Sequence, residues 1–134
     1  METIKSYSDL QQSKKLAEIL PLESADMYYW LAWSGGVSEE KRNTPKVGTP
    51  NKDAIKTYWY PCWSLASLLD QLPYELCDDD DNSSYLQMNK EDDVYQLIYT
   101  DPNGYFESIE TDRYYHFVDA CVELILKLNK LNLL

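Results

Sequence analysis

At 134 residues, with 44% hydrophobic and 13% aromatic residues, the chain is long enough to bury a core without staples, and its composition excludes disorder throughout. Its net charge of −11, from 23 acidic and 12 basic residues, repels nucleic acid and anionic membrane and attracts a basic partner or cations. No window approaches about 18 apolar residues, which excludes a membrane-spanning helix.

Ser8, with Gln11 three residues on, reads as a capping box that opens a helix over residues 8–20. Leu10, Leu16, Ala17, Ile19 and Leu20 supply its apolar face, and Pro21 stands just past its end. Residues 27–33 are apolar or aromatic at both parities, which suits an interior strand covered on both sides. Residues 34–56 hold Gly35, Gly36, Pro45, Gly48, Pro50 and most of the lysines, and predict a long exposed loop.

A short strand is expected at residues 57–60. It runs into a helix over 64–72, capped by Ser64, with Trp63 and Leu68 at the two positions of a hydrophobic staple and Pro73 as its stop. Residues 74–93 read as an acidic run and a polar stretch holding a short edge strand near 85–88. Val94–Thr100 and residues 105–109 flank Asp101-Pro102-Asn103-Gly104, where proline second and glycine fourth predict a type I turn and so a 94–109 hairpin. The last helix is expected over 114–131, with Phe117, Cys121, Leu124, Ile125, Leu128 and Leu131 in one stripe and Lys127 and Lys130 where the helix dipole favours cations. The pattern predicts a single α+β domain over residues 1–134: a small antiparallel or mixed sheet packed with about three helices.

Three blocks carry a resemblance: Tyr60-Pro61-Cys62-Trp63-Ser64-Leu65 with Leu68, Leu69, Leu72 and Pro73; Ala25-Asp26-Met27-Tyr28; and the tail from Asp119-Ala120-Cys121 to Leu128. Together they resemble a group of small uncharacterised proteins of Bacteroidetes gut bacteria and their phages or mobile elements, over about residues 25–134. The resemblance implies origin. It implies no activity, and it transfers no functional residue.

The charge is unevenly placed. Residues 70–112 hold thirteen acids and one base, Lys90, whereas residues 1–67 hold eight of each. Among the acids, Asp78, Asp79, Asp80 and Asp81 form an unbroken run. Catalytic constellations are scarce. The sole histidine, His116, has Asp119 one turn on and invites a pairing with Cys62 or Cys121, but Cys121 falls on the apolar stripe, where a thiol is usually inert. Asp80-x-Asn82-x-Ser84 with Glu91 twelfth outlines a calcium loop that fails at its sixth position, Tyr85 instead of glycine. No cysteine–histidine zinc spacing, phosphate loop or nucleophile elbow occurs, so no cofactor is expected.

Lys41, Arg42, Lys46, Lys52 and Lys56 form the only basic cluster, interrupted by Glu39, Glu40 and Asp53. Twelve tyrosines and four tryptophans are more than a core this size needs, and Tyr58, Trp59, Tyr60 and Trp63 read as an exposed aromatic cluster, as do Tyr114 and Tyr115. Three widely spaced cysteines predict a reducing compartment, and Met1-Glu2-Thr3-Ile4-Lys5 lacks a signal-peptide pattern, so a cytoplasmic protein is expected.

These features point to a non-enzymatic acidic protein-interaction module with a protein partner, a basic one being what the charge would attract, and no direct contact with nucleic acid or membrane. The alternatives are a DNA-mimic inhibitor of a nucleic-acid-binding protein and a small carboxylate-based enzyme. A homo-oligomer built through the apolar tail, residues 126–134, is a further option.

Overall fold

The computed structural model describes residues 5–30, 44–48 and 59–134. The fold is α+β, with two antiparallel sheets among the described residues. The chain divides into two compact units: Ser6–Leu68, and Leu69–Leu134 together with Met1–Lys5.

In the Ser6–Leu68 unit, α1 spans Leu10–Ala17. Its capping box lies one residue later than the spacing suggested. The Asp9 carboxylate accepts from the N–H of Gln12 at 2.8 Å, and the Gln12 side chain accepts from the N–H of Asp9 at 3.0 Å. Ser8 cannot serve there because its hydroxyl is buried, accepting from the N–H of Trp63 at 3.1 Å and sharing a hydrogen bond with Ser13 at 2.7 Å.

Strand β1 (Met27–Trp30) is central in a three-stranded sheet, between β2 (Lys46–Val47) and β3 (Trp59–Cys62). The β2 strand lies inside the expected 34–56 loop and corrects it: Tyr28 pairs with Lys46 and Met27 with Val47. The rest of that loop, residues 34–43 and 49–56, lies outside the described residues, as does Tyr58. Successive side chains of β1 face opposite sides. Tyr29 is buried, and its hydroxyl donates to the Ser8 carbonyl at 2.7 Å. Tyr28 and Trp30 lie on the other face with Trp59.

Helix α2 (Leu65–Asp70) starts where Ser64 caps it, accepting from the N–H of Ser67 at 3.2 Å. Trp63 and Leu68, the staple positions, are both fully buried.

The second unit carries a meander of four strands in the order β4 (Glu75–Cys77), β5 (Ser83–Glu91), β6 (Val94–Thr100) and β7 (Ile109–Glu110). The short edge strand expected near 85–88 is instead a nine-residue interior strand. It joins β6 through Asp92-Asp93, with Asp92 in the left-handed region at φ 55°. The 94–109 hairpin is present, since β6 pairs antiparallel with β7 through Ile98–Glu110 and Tyr99–Ile109. The expected turn at Asp101–Gly104 closes through the N–H of Gly104 to the Asp101 carbonyl at 3.0 Å, and Gly104 adopts φ 76°. Tyr105 through Ser108 leave the sheet because the Asp101 carboxylate captures the N–H groups of Asn103, Tyr105 and Phe106 at 2.8, 2.9 and 2.9 Å.

Helix α3 (Phe117–Lys130) packs on β6, and Tyr95 stacks on Phe117 with ring centroids 5.5 Å apart. Val118, Ala120 and Val122 are buried as well as the expected Cys121, Leu124, Ile125 and Leu128. At about 100° per residue this covers more than half the circumference, so the buried face is wider than the predicted stripe. The helix stops in a Schellman motif: the N–H of Leu133 reaches the Leu128 carbonyl at 2.8 Å, that of Asn132 reaches Asn129 at 3.1 Å, and Asn132 sits at φ 58°. Leu131, expected on the stripe, is exposed beyond it. No helix among the described residues is long and apolar enough to cross a membrane.

Candidate functional site

The net charge belongs to one unit. The Ser6–Leu68 unit carries seven acids and seven bases, and the other carries sixteen acids against five bases. In the acidic unit the carboxylates divide by task. Asp78 builds the β4–β5 turn: its Oδ1 accepts from the N–H groups of Asp80 at 2.9 Å and Asn82 at 2.8 Å, and its Oδ2 accepts from the Asn82 amide at 3.0 Å. The Asn82 side chain, aided by those N–H groups, holds the Asp78 carboxyl below the usual range. Asp79, Asp80 and Asp81 are left in solvent, with Asp81 at φ 62°. Asp101 does for its own turn what Asp78 does for this one, and the N–H groups of Asn103 and Phe106 depress its carboxyl.

These two turns share one end of the sheet, around a cavity of about 350 Å³ lined by Asp81, Asn82, Ser83, Tyr85, Asp101 and Asn103. Glu91, Asp92 and Asp93 sit at the other end, at the tip of the β5–β6 hairpin. At about 3.3 Å per residue, the nine residues of β5 separate the two groups by roughly 25–30 Å.

A calcium loop is not assembled. Asp80 is exposed, whereas Ser84 is fully buried in β5 with a hydroxyl that meets no partner. Among the described residues no group of three acids, cysteines or histidines is placed to hold a metal. The Cys–His pairing also fails. Burial pushes the Cys121 thiol up to about 12 and raises that of Cys62, and the Asp119 carboxylate is engaged by the Lys5 ammonium at 2.6 Å. Neither shifted carboxylate in this unit, Asp78 or Asp101, is raised, so neither is poised to give up a proton near neutrality.

The aromatic cluster is rearranged. Trp63 is 0% exposed, and its indole N–H donates to Ser24 at 2.9 Å, so it offers no surface. Trp59 and Tyr60 are half-buried on opposite faces of β3: Trp59 stacks on Trp30 at 5.3 Å, and Tyr60 lies under the Lys14 ammonium at 5.4 Å. Trp30 is 46% exposed, with the Lys46 ammonium 5.3 Å from its ring. Tyr115 is exposed, whereas Tyr114 is half-buried, its hydroxyl pushed up to about 12 by burial and by Glu123. In the acidic unit the exposed aromatics are Tyr74, Tyr105 and Tyr115. Sequence reasoning passed over Tyr74 and Tyr105. Their only signal was local: Tyr74 follows Pro73 and precedes Glu75, and Tyr105 follows the Asp101–Gly104 turn.

The blocks around Asp26 and Trp63 fold onto each other. Met27 pairs with Cys62 and Tyr28 with Pro61, while the Asp26 carboxylate accepts from the N–H of Ser64 at 2.9 Å and from its hydroxyl. Burial raises the Asp26 carboxyl, but these bonds outweigh it and leave it lowered. Asp26→Ala is therefore expected to destabilise by about 1–2 kcal/mol in thermal melts near neutral pH. With the folded value below the unfolded one, the contribution is present above about pH 4 and fades as pH falls through the folded value, so wild type and variant converge in acid.

No protein-family model, curated protein or solved structure matches this chain. What the fold defines is the class, an α+β protein with two antiparallel sheets among the described residues and one strongly acidic unit.

Proposed function

We propose that this chain is a non-enzymatic, acidic protein-interaction module whose partner presents a basic surface. The observation that carries the reading is the confinement of the whole −11 to one compact unit while the other is neutral. Charges placed with no regard to binding would be mixed across both units. A single-sign field steers an oppositely charged partner and raises its rate of encounter. The exposed Tyr74 and Tyr105 add contact area with a polar handle in the same unit. The carboxylates of Asp78 and Asp101 are spent on their own turns, which supports binding over acid–base chemistry.

The separation of the acids into two end groups weighs toward this reading over DNA mimicry, because duplex DNA presents one charge per about 1.7 Å of axis without interruption. Three free thiols, two of them buried, support a reducing, cytoplasmic setting. Self-repulsion of the acidic unit supports a monomer over a homo-oligomer.

The test is a tagged capture from lysate of the source cell, washed at low and then high salt, with the retained proteins identified. A basic protein released by salt supports the reading. A partner held equally at both salts refutes its electrostatic part.

A further inference from the structure

The longest strand of the acidic unit is paired along only part of one edge. On one side β6 pairs with β5 from Tyr85 to Glu91. On the other, β4 reaches only Ser83 to Tyr85, followed by one more bond from the N–H of Leu86 to the Tyr74 carbonyl at 2.9 Å. The chain turns off the edge at Pro73, whose carbonyl accepts from the Tyr99 hydroxyl. Tyr99 lies on the same face of the meander as Tyr95, the face that α3 covers. Among the described residues nothing pairs with that side of residues 87–91, an open edge about 17 Å long, the length of an ordinary strand.

The parity of that edge is settled by Leu86. Its N–H points toward β4, so with a period of two the N–H and carbonyl groups of Met88 and Lys90 also point outward, while those of Gln87, Asn89 and Glu91 serve β6. No described strand continues the pairing at Met88 or Lys90. A cleft of about 630 Å³ borders this stretch and spreads from Met88, Asn89, Lys90 and Glu91 across the sheet to Gln96 and Arg113. Met88 is exposed there and adapts its shape readily. Natural edges are often guarded by a lysine that stands out from them. Here the Lys90 ammonium is drawn back over the Tyr95 ring of the neighbouring strand, 5.2 Å from its centroid, which leaves the backbone groups accessible.

We propose that the open edge of residues 87–91 is a strand-addition site for an extended basic segment of a protein partner. The inference rests on the acidic-module reading and adds where and how the partner binds. Main-chain hydrogen bonds to Met88 and Lys90 supply the docking, and the surrounding acids select the occupant. Glu91, Asp92 and Asp93 stand at the end of the edge, in a unit of sixteen acids and five bases. That field disfavours a second copy of this chain at the same edge and favours lysine- and arginine-rich sequence.

The test is hydrogen exchange by NMR on the full chain at low salt. The probe is an acetylated, amidated octapeptide of alternating threonine and lysine, compared with two forms N-methylated on one or the other set of alternate residues. The expected result is at least tenfold slower exchange at the amides of Met88 and Lys90. One methylated form, which blocks the peptide edge facing β5, is expected to bind at least tenfold more weakly, and the other little changed. Met88→Pro, which removes an outward N–H but no bond to β6, should abolish the protection while the β6 amides stay protected.

Binding with spectral changes confined to residues 78–82 and 101–106 overturns the edge site and leaves the acidic-module reading standing. No binding of any form overturns both. Protection at Met88 and Lys90 that grows with protein concentration and needs no peptide overturns the choice of occupant in favour of a second copy.

Discussion

Trp63→Ala is expected to lower stability by about 3–5 kcal/mol, the range for emptying a fully buried tryptophan site. Three things are lost together. The largest fully buried side chain among the described residues goes. The indole donor to Ser24 goes with it. The packing beside the Ser8–Trp63 backbone bonds, where the N–H of Ser8 meets the Trp63 carbonyl at 2.9 Å, is loosened. Against a total stability of about 5–15 kcal/mol this is a large fraction, and denaturant or thermal unfolding should register it directly. Trp63→Phe keeps most of the apolar volume and forfeits the Ser24 bond, so a loss of about 1–2 kcal/mol is expected. A cost under about 1 kcal/mol for Trp63→Ala would mean that Trp63 lies at the surface, as an interaction residue would.

Replacing Asp79, Asp80, Asp81, Asp92 and Asp93 together by asparagine is expected to slow association with the captured partner by roughly ten- to a hundredfold at low salt, with little change in dissociation. The fold should survive. None of the five side chains closes a turn or caps a helix, and asparagine tolerates the left-handed backbone at Asp81 and Asp92. Relief of self-repulsion should leave the melting temperature unchanged or higher. Asp78 and Asp101 are kept because their carboxylates close turns. An unchanged association rate would show that these five carboxylates do not steer the partner.

Different parts of this molecule were legible in its sequence to different degrees, for physical reasons. The Asp101-Pro102-Asn103-Gly104 turn could be read because proline and glycine restrict the backbone locally. The last helix could be read because its apolar period is sustained, though burial of Val118, Ala120 and Val122 shows that a single stripe understates a helix covered on more than one side. Strand β5 was legible only in part, as a short strand near 85–88. Ser83–Glu91 has no apolar alternation toward its end, and the turn after it uses Asp92-Asp93 where glycine or asparagine would have announced a hairpin.

The same limit applies to the candidate site. The acids were countable in the sequence, but which of them are spent on turns depends on hydrogen bonds that only the fold reveals. Trp63 satisfied two patterns at once, a hydrophobic staple and an aromatic patch, and burial decided for the staple. The open edge of β5 had no sequence signature, because it arises from where a neighbouring strand stops.

The most direct test of the central claim is the equilibrium constant of wild-type protein with its captured partner across a salt series from about 50 to 500 mM. A steep loss of affinity with salt, carried by the association rate, is the result predicted for a partner drawn by the acidic unit. Affinity and association rate that stay flat across the series would contradict it and leave the −11 as a solvated surface without a role in recognition.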